Sequence, residues 1–196
     1  MSIVAPAPGI LFVCTGNICR SPYLEFSLRA ALAGTVLANV SVSSAGTAAL
    51  EGHSASRPTL KLLNAHGIDA RTFRARRLTP QLIGEAGIIL TATRDHRRDV
   101  TRLDPTAAER TFTVLQLARM LRVADAVVPG PGAHSDPVIL LPGVVARALS
   151  ARGHTTGGEG DDIEDPWHRP TRVYRRAAER MDEGLAPLIA HLTRSQ

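Results

Sequence analysis

The sequence predicts an α/β fold in which a parallel sheet has helices on both faces. Short apolar runs rich in β-branched residues alternate with stretches of helical period along most of the chain. The 196 residues, 44% of them hydrophobic and 21% charged, have the composition of an ordinary soluble domain that buries its own core. We therefore predict a single domain over residues 1–196, without internal repeats.

Four short apolar segments are the predicted strands, and the second of them is expected to end in a turn at Ala45–Gly46. The strand candidates are Ile10–Val13, Val40–Ser44, Ile88–Ala92 and Thr111–Val114.

The first predicted helix has Ser21 as its N-cap and Pro22 at its first helical position, and Gly34 ends it. The remaining helices follow from apolar residues at helical spacing and from cap residues. They are predicted from Ser56 to Gly67, over Asp95–Leu103, over Leu115–Arg122 and from Thr171 onwards.

The alternating pattern breaks at about residues 123–160, which we predict to be an insertion. Val128–Pro137 is rich in proline and glycine, and Gly153–Asp162 in glycine and acidic residues, so both are expected to be flexible flanks. Between them, Val138–Ala151 is predicted to be a helix that Pro142 and Gly143 interrupt or start. Three roles are open to the insertion: shaping access to a site, extending a helix layer, or self-association.

Residues 13–22 read V-C-T-G-N-I-C-R-S-P between a predicted strand and a predicted helix. A short loop at a helix N-terminus turns backbone N–H groups inward and binds anions, helped by the helix dipole. Gly16 is expected to turn the backbone where a Cβ would clash, and Asn17 to tolerate a left-handed conformation. Arg20 offers a planar fork of donors that matches two phosphate oxygens. The predicted phosphate-binding loop comprises Thr15, Gly16, Asn17, Ile18, Cys19 and Ser21.

The chemistry expected of this loop is nucleophilic attack on a phosphate ester. The field of the loop favours the thiolate form of Cys14, and Ser21 is placed to donate a hydrogen bond to the sulfur. The leaving oxygen needs a proton, and the candidate acid is Asp165 in D-I-E-D-P-W-H, where Pro166 fixes the adjacent backbone. The same carboxyl group would then activate the water that hydrolyses the phosphocysteine.

The ten-residue loop string resembles the signature of the low-molecular-weight protein tyrosine phosphatases, and D-I-E-D-P-W resembles their acid loop. S-S-A-G-T at 43–47, H-G-I-D at 66–69 and R-A-R-R-L-T at 74–79 also match. The resemblance implies a three-layer fold with a four-stranded parallel sheet and the phosphate-binding loop after strand 1. It implies hydrolysis of phosphotyrosine in a protein substrate, with inorganic phosphate as product. Cys14 would be the nucleophile, Arg20 the phosphate clamp and Asp165 the general acid and base.

The resemblance also implies roles for residues around the loop. Asn17 would hold the loop through a hydrogen bond to Ser44, and Trp167 would form a wall beside the substrate ring. Cys19 would be the second cysteine that forms a reversible disulfide with the nucleophile. The chain departs from the family where Phe73 replaces a common histidine and His168 a common tyrosine, which leaves support of the loop at that position open.

Three other functions compete with this interpretation. An arsenate reductase on this scaffold needs further downstream cysteines, and none follows Cys19. Protein arginine phosphatases share the fold but carry threonine at the loop position of Ile18, so Ile18 favours phosphotyrosine. A non-catalytic phosphate-binding module would be expected to lack the nucleophile, the clamp or the acid, and all three are present.

The amino-acid composition limits the kinds of molecule that the protein is expected to bind. Only 4% of residues are aromatic, so the net charge of +5 favours a solvated basic surface over a nucleic-acid interface. No apolar run is long enough to span a bilayer and no signal peptide is visible, so we expect a cytoplasmic protein without membrane contact. The seven histidines show no metal-ligand spacing, which favours surface or packing roles and neither metal nor cofactor. The oligomeric state is left open.

Overall fold

A computed structural model describes residues 9–127, 137–154, 158 and 160–193. Its centre is a parallel four-stranded sheet, as predicted, and the strand order is β2-β1-β3-β4. The strands are β1 (Gly9–Cys14), β2 (Val42–Gly46), β3 (Ala86–Thr91) and β4 (Thr111–Thr113).

Seven α-helices surround the sheet within the described residues, together with 3₁₀ turns at Pro105–Arg110 and Arg152–His154. Their bounds are α1 (Arg20–Leu32), α2 (Arg57–Ala65), α3 (Pro80–Gly84), α4 (Arg94–Leu103), α5 (Val114–Val127), α6 (Pro137–Ser150) and α7 (Thr171–Thr193). Only α3 is absent from the sequence prediction, because five residues are too few to show a helical period.

Alternate residues of the strands pack on opposite faces of the sheet, which gives the molecule three layers. On one face, Ile10, Phe12 and Ile88 are fully buried against α1, α5, α6 and α7. On the other face, Leu11 and Ile89 are buried against the smaller layer formed by α3, α4 and the first 3₁₀ turn. This two-sided burial is the reason that the strands read as short continuous apolar runs.

Among the predicted boundaries that are wrong, two lie next to the loop. Ala45–Gly46 was expected to be a turn, but both residues belong to β2 because they pair with Val13 and Cys14 of β1. Ser21 was expected to cap α1, but the helix begins at Arg20, two residues earlier than predicted, and its N-cap is Cys19. Ser21 therefore lies in the first turn, with its side chain free for another task.

The predicted helix within the insertion is confirmed as α6. Pro142 and Gly143 lie inside it and neither interrupt nor start it, contrary to the prediction. Leu141, Val144 and Ala148 of this helix are fully buried in the main core beside α5. Of the three roles left open for the insertion, the described residues support extension of a helix layer. The predicted flexible flanks fall largely on residues outside the described part of the chain.

No helix among the described residues is both long enough and apolar enough to cross a membrane.

Candidate active site

The loop between β1 and α1 lies at the carboxyl edge of the sheet. β1 ends at Cys14 and α1 begins at Arg20, so the loop lies directly at a helix N-terminus. Asn17 adopts the left-handed conformation with φ 54°, as the sequence predicts. The Cys14 side chain is buried at the base of the loop.

Asn17 holds the loop through three hydrogen bonds. Its Nδ2 group donates to Ser21 Oγ and to Ser44 Oγ, both at 2.8 Å. Its Oδ1 atom accepts from the backbone N–H of Arg76 at 2.8 Å, which fixes the orientation of the amide. The Asn17–Ser44 hydrogen bond implied by the family resemblance is present.

Ser21 lies beside the candidate nucleophile, with its Oγ 3.0 Å from Cys14 Sγ. Because Ser21 Oγ accepts a hydrogen bond from Asn17, its own hydroxyl group can donate one to the sulfur. That donation stabilises a negative charge on Cys14, and the N-terminus of α1 does the same.

Glu25 accepts the last hydrogen bond in a chain that runs from Asn17 through Ser44. The sequence did not predict a role for Glu25. Ser44 Oγ donates to Glu25 Oε2 at 2.6 Å, and Arg29 Nη2 lies 2.8 Å from Glu25 Oε1. Burial raises the pKa of the Glu25 carboxyl, while Ser44 and Arg29 oppose that rise. An acidic residue among the apolar positions of α1 was the signal in the sequence that could have identified Glu25.

Phe73, which replaces the common histidine of the family, is buried and packs edge-on against Phe26, with ring centroids 6.0 Å apart.

The glycine that the loop requires is Gly46 and not Gly16. A Cβ on Gly16 would meet only Ile18 Cγ1, at 3.5 Å, so the expected clash within the protein is absent there. A Cβ on Gly46 would lie 2.4 Å from the carbonyl oxygen of Thr15 and 3.0 Å from Asn17 Cβ. The neighbouring strand therefore supports the loop through a contact that only glycine permits.

We expect Gly46→Ala to destabilise the fold by roughly 1–3 kcal/mol and to displace the loop, because a backbone oxygen occupies the space of the new methyl group. Urea unfolding of this variant and of Gly16→Ala measures the effect. Gly16→Ala is the matched control and should unfold close to wild type. Equal stability of the two variants would contradict the conclusion that the loop requires glycine at position 46.

Arg20 is 4% exposed and reaches from the loop to the segment that carries Asp165. Its Nη1 donates to the carbonyl oxygen of Ile163 at 3.1 Å, and its Nη2 lies 2.7 Å from Asp165 Oδ2. The Nη2 group also donates to Thr15 Oγ1 at 3.4 Å. Within the described residues, the buried Nε atom of Arg20 has no hydrogen-bond partner.

The acid loop, residues 161–167, is hydrogen-bonded next to the sheet near its beginning and is exposed to solvent near its end. The backbone N–H of Ile163 donates to Ala92 O at 2.9 Å, next to the end of β3. Asp165 Oδ1 accepts from the backbone N–H of Trp167 at 3.2 Å, and its side chain is 48% exposed. The carboxyl group thus faces the cavity above the loop and remains open to solvent.

A cavity of about 170 Å³ brings the predicted site residues together. Cys14, Arg20 and Asp165 line it, with Thr15 and Cys19 from the loop. Its apolar walls are formed by Ile18, Ala48, Leu50 and Trp167. Trp167 is 41% exposed and lies against the His168 ring at a centroid distance of 4.3 Å. Such a cavity can bind a phosphate at its base and an apolar group at its mouth.

The sequence model of the low molecular weight phosphotyrosine protein phosphatase family matches residues 9–139, more than half of the chain. The chain belongs to this family. The family resemblance drawn from the loop and acid-loop motifs is thereby confirmed.

Individual relatives carry two different names. The probable low molecular weight protein-tyrosine-phosphatase EpsP of Ralstonia solanacearum is 40% identical over 111 residues, covering 57% of this chain and 71% of EpsP. The protein-arginine-phosphatase of Geobacillus stearothermophilus is 29% identical over 187 residues, covering 95% of this chain and 97% of that protein.

Solved structures agree on the fold. The YwlE arginine phosphatase of Geobacillus stearothermophilus superposes with a TM-score of 0.68 at 29% identity, covering 94% of this chain and 92% of YwlE. A low molecular weight protein tyrosine phosphatase from T. tengcongensis gives 0.66 at 27% identity, covering 93% and 97%.

His96 of this family member touches the phosphate-binding loop, which corrects the expectation of a surface or packing role. The ring is buried, with Nε2 2.8 Å from Thr15 Oγ1 and Nδ1 2.8 Å from Thr93 Oγ1. Thr93 is also the N-cap of α4. Since Thr15 accepts from Arg20, His96 braces the clamp through one intervening hydroxyl group. The T-x-x-H spacing at a strand-to-helix junction was the only sequence signal.

We expect His96→Asn to raise KM for aryl phosphates about tenfold, because Asn is too short to reach Thr15 and leaves the Thr15–Arg20 contact unsupported. His96→Gln is the matched variant, since its longer amide can still reach the Thr15 hydroxyl. Steady-state kinetics should show the larger KM change in the Asn variant. Unchanged KM in both would contradict a bracing role.

His96 also predicts a pH dependence of stability. Burial, together with the positive charge of Arg20, lowers the pKa of His96 from 6.5 to about 4. Between pH 4 and pH 6.5 the imidazole binds a proton in the unfolded chain but not in the folded protein. The contribution of neutral His96 to the free energy of unfolding is therefore complete above pH 6.5 and is lost as the pH falls to about 4. Urea midpoints of wild type should fall more steeply across that window than those of His96→Gln. Parallel curves would contradict the assignment.

Cys19 belongs to the loop, and its side chain is buried. Its Sγ donates to Ser56 Oγ at 3.4 Å and lies 3.7 Å from the Tyr174 hydroxyl. Burial raises the pKa of the Cys19 thiol above its ordinary value. Both cysteines are free thiols, and the disulfide between Cys14 and Cys19 stays a prediction. Across the described part of the chain, no three His, Cys, Asp or Glu side chains are grouped as metal ligands would be.

Proposed function

We propose that this protein is a protein tyrosine phosphatase that hydrolyses phosphotyrosine through a phosphocysteine on Cys14. One observation carries the proposal: Cys14, Arg20 and Asp165 line the same cavity, with a hydroxyl donor 3.0 Å from the sulfur. The nucleophile, the phosphate clamp and the acid thus come from two separate sequence motifs and meet at one site.

Substrate binding rearranges the charges at Arg20. The substrate phosphate takes the Arg20 guanidinium and displaces the Asp165 carboxylate, which lies 2.7 Å from it in the unliganded site. The displaced Asp165 side chain then faces the departing tyrosine oxygen, to which it supplies a proton. Binding and acid catalysis are coupled because the two ligands of Arg20 exclude each other.

The reaction proceeds in two phosphoryl transfers. The Cys14 sulfur attacks phosphorus, the bond to the tyrosine oxygen breaks, and Asp165 protonates that oxygen. Water, deprotonated by Asp165, then attacks the phosphocysteine, and Cys14 leaves as a thiolate stabilised by Ser21. The Arg20 fork and the loop N–H groups bind the equatorial oxygens in both steps, and inorganic phosphate is released. No metal or cofactor takes part.

The apolar cavity walls support phosphotyrosine as substrate. Ile18, Leu50 and Trp167 surround the mouth, where a tyrosine ring attached to a bound phosphate would lie. Ile18 is the apolar wall residue that belongs to the phosphate-binding loop. Trp167 is 41% exposed at the edge of the cavity, where its free face can contact the residues that flank phosphotyrosine in a protein substrate.

A protein arginine phosphatase is the second candidate. The relative of that name aligns over 95% of this chain, whereas EpsP aligns over 57%. The Asp165 carboxylate could bind a guanidinium group as readily as it binds Arg20. The loop residue Ile18 opposes this candidate, because it offers no hydrogen bond to the additional N–H groups of phosphoarginine.

Parallel kinetics with a phosphotyrosine peptide and a phosphoarginine peptide test the proposal, with EDTA and a thiol reductant present. We expect kcat/KM to be at least about a hundredfold higher for phosphotyrosine, and EDTA to leave activity intact. Preference for phosphoarginine would establish the second candidate. Loss of all activity on chelation would contradict the cysteine mechanism.

A further inference from the structure

A second cavity, of about 350 Å³, lies beside the beginning of the acid loop and shares no lining residue with the active-site cavity. Four arginines line it. Arg94 and Arg97 come from α4, Arg119 comes from α5, and Arg152 comes from the 3₁₀ turn after α6. The segment predicted to be an insertion therefore contributes one of the four positive charges.

Two carboxylates of the acid loop balance part of this charge. Arg94 Nη2 lies 3.0 Å from Asp162 Oδ2, and Arg119 Nη2 lies 2.7 Å from Asp161 Oδ2. These two carboxylates neutralise Arg94 and Arg119, whereas Arg97 of α4 has no acidic partner among the described residues.

Arg97 has the environment of an anion ligand. The side chain is half-buried, and its Nη1 donates only to the neutral Gln116 Oε1, at 3.5 Å. Among the described residues, no carboxylate lies within ion-pair distance of Arg97. Burial and the positive charge of Arg152 both lower the pKa of Arg97. A partly desolvated guanidinium beside a like charge gains more from a bound anion than an exposed one does.

We propose that Arg94, Arg97, Arg119 and Arg152 form a second oxyanion-binding site, for small phosphates such as inorganic phosphate and pyrophosphate. Planar guanidinium forks arranged around one cavity match the several oxygens of such an ion. The site is distinct from the catalytic loop and does not depend on the proposed activity.

The position of the site connects it to the acid loop. Asp161 and Asp162 are ligands of two of the arginines, and the next residue, Ile163, accepts a hydrogen bond from Arg20. An anion in the cavity competes with these carboxylates for Arg94 and Arg119. It therefore acts on the segment that positions both the clamp and Asp165.

Nuclear magnetic resonance of the ¹⁵N-labelled protein, titrated with pyrophosphate at constant ionic strength, tests the site. We expect saturable shifts of the Arg97 Nε–H and Gln116 carboxamide signals, separate from those of the loop amides between Cys14 and Arg20. In the double variant Arg97→Gln with Arg152→Gln, the Gln116 signal should report affinity at least about tenfold weaker, with unchanged loop shifts.

Arg98→Gln is the matched control, because Arg98 is exposed on α4, pairs with Asp95 and does not line the cavity. It should bind pyrophosphate as wild type does. The proposal is overturned if the Gln116 and Arg97 signals do not saturate, or if Arg98→Gln weakens binding as much as the double variant. Inert peptides in the kinetic assay, by contrast, would refute only the proposed function.

Discussion

Replacing Cys14 with serine is expected to abolish hydrolysis of phosphotyrosine peptides and of p-nitrophenyl phosphate, lowering kcat by about 10⁴-fold or more. The serine hydroxyl ionises far less readily than a thiol, and among the described residues Ser21 is the side chain that hydrogen-bonds at this position. Ser21 Oγ, 3.0 Å from the sulfur, accepts a hydrogen bond from Asn17 and donates one to this position, so it does not act as a base. Initial rates under reducing conditions measure the loss.

Cys19→Ser provides the control, since Cys19 lies in the same loop but points to Ser56 and Tyr174. A serine there can keep those hydrogen bonds, so activity should fall by less than roughly tenfold. Circular dichroism of both variants checks that the fold is retained. Substantial turnover by folded Cys14→Ser protein would rule out Cys14 as the nucleophile.

Asp165→Asn is the second change with a large expected effect, and its size should depend on the leaving group. We expect kcat for a phosphotyrosine peptide to fall about 10²–10³-fold, because tyrosine needs a proton as it departs. The loss in formation of the phosphoenzyme should be much smaller for p-nitrophenyl phosphate, since p-nitrophenolate leaves without protonation. Burst-phase kinetics with the two substrates separate this step from hydrolysis.

The dependence on the leaving group distinguishes acid catalysis from a purely structural role. Asp165 also pairs with Arg20, so its loss could act by freeing the clamp. In that case formation of the phosphoenzyme would slow equally for both substrates. Glu164→Gln is the control, because Glu164 is adjacent in the acid loop but pairs with Arg176 outside the cavity. It should retain nearly full activity.

Much of the fold followed from local patterns in the sequence. The strands are buried on both faces, so each appears as an apolar run. Helix α2 begins at Arg57 with Ser56 as its N-cap, as the cap chemistry predicts. The errors arose where tertiary pairing decides the structure. Ala45–Gly46 has the composition of a turn, but it continues β2 because β1 offers hydrogen-bond partners.

The site was predictable where its residues lie in one motif and not where they converge from distant segments. Asn17, Ser21 and Arg20 belong to a contiguous string, and Asp165 to a second one. His96 is 81 residues from Thr15 along the chain, and Gly46 approaches the Thr15 carbonyl from the neighbouring strand. Local spacing carries no information about such contacts, so the sequence assigned His96 to a surface or packing role.

The central claim is that turnover passes through a phosphorylated Cys14. Acid quenching of Asp165→Asn during reaction with p-nitrophenyl phosphate, followed by peptide mass spectrometry, tests it most directly, because slow hydrolysis should let the intermediate accumulate. We predict one phosphoryl group, on the peptide that contains Cys14, and none in the Cys14→Ser variant. Continued turnover with no phosphate on Cys14, or with phosphate on another residue, would contradict the mechanism.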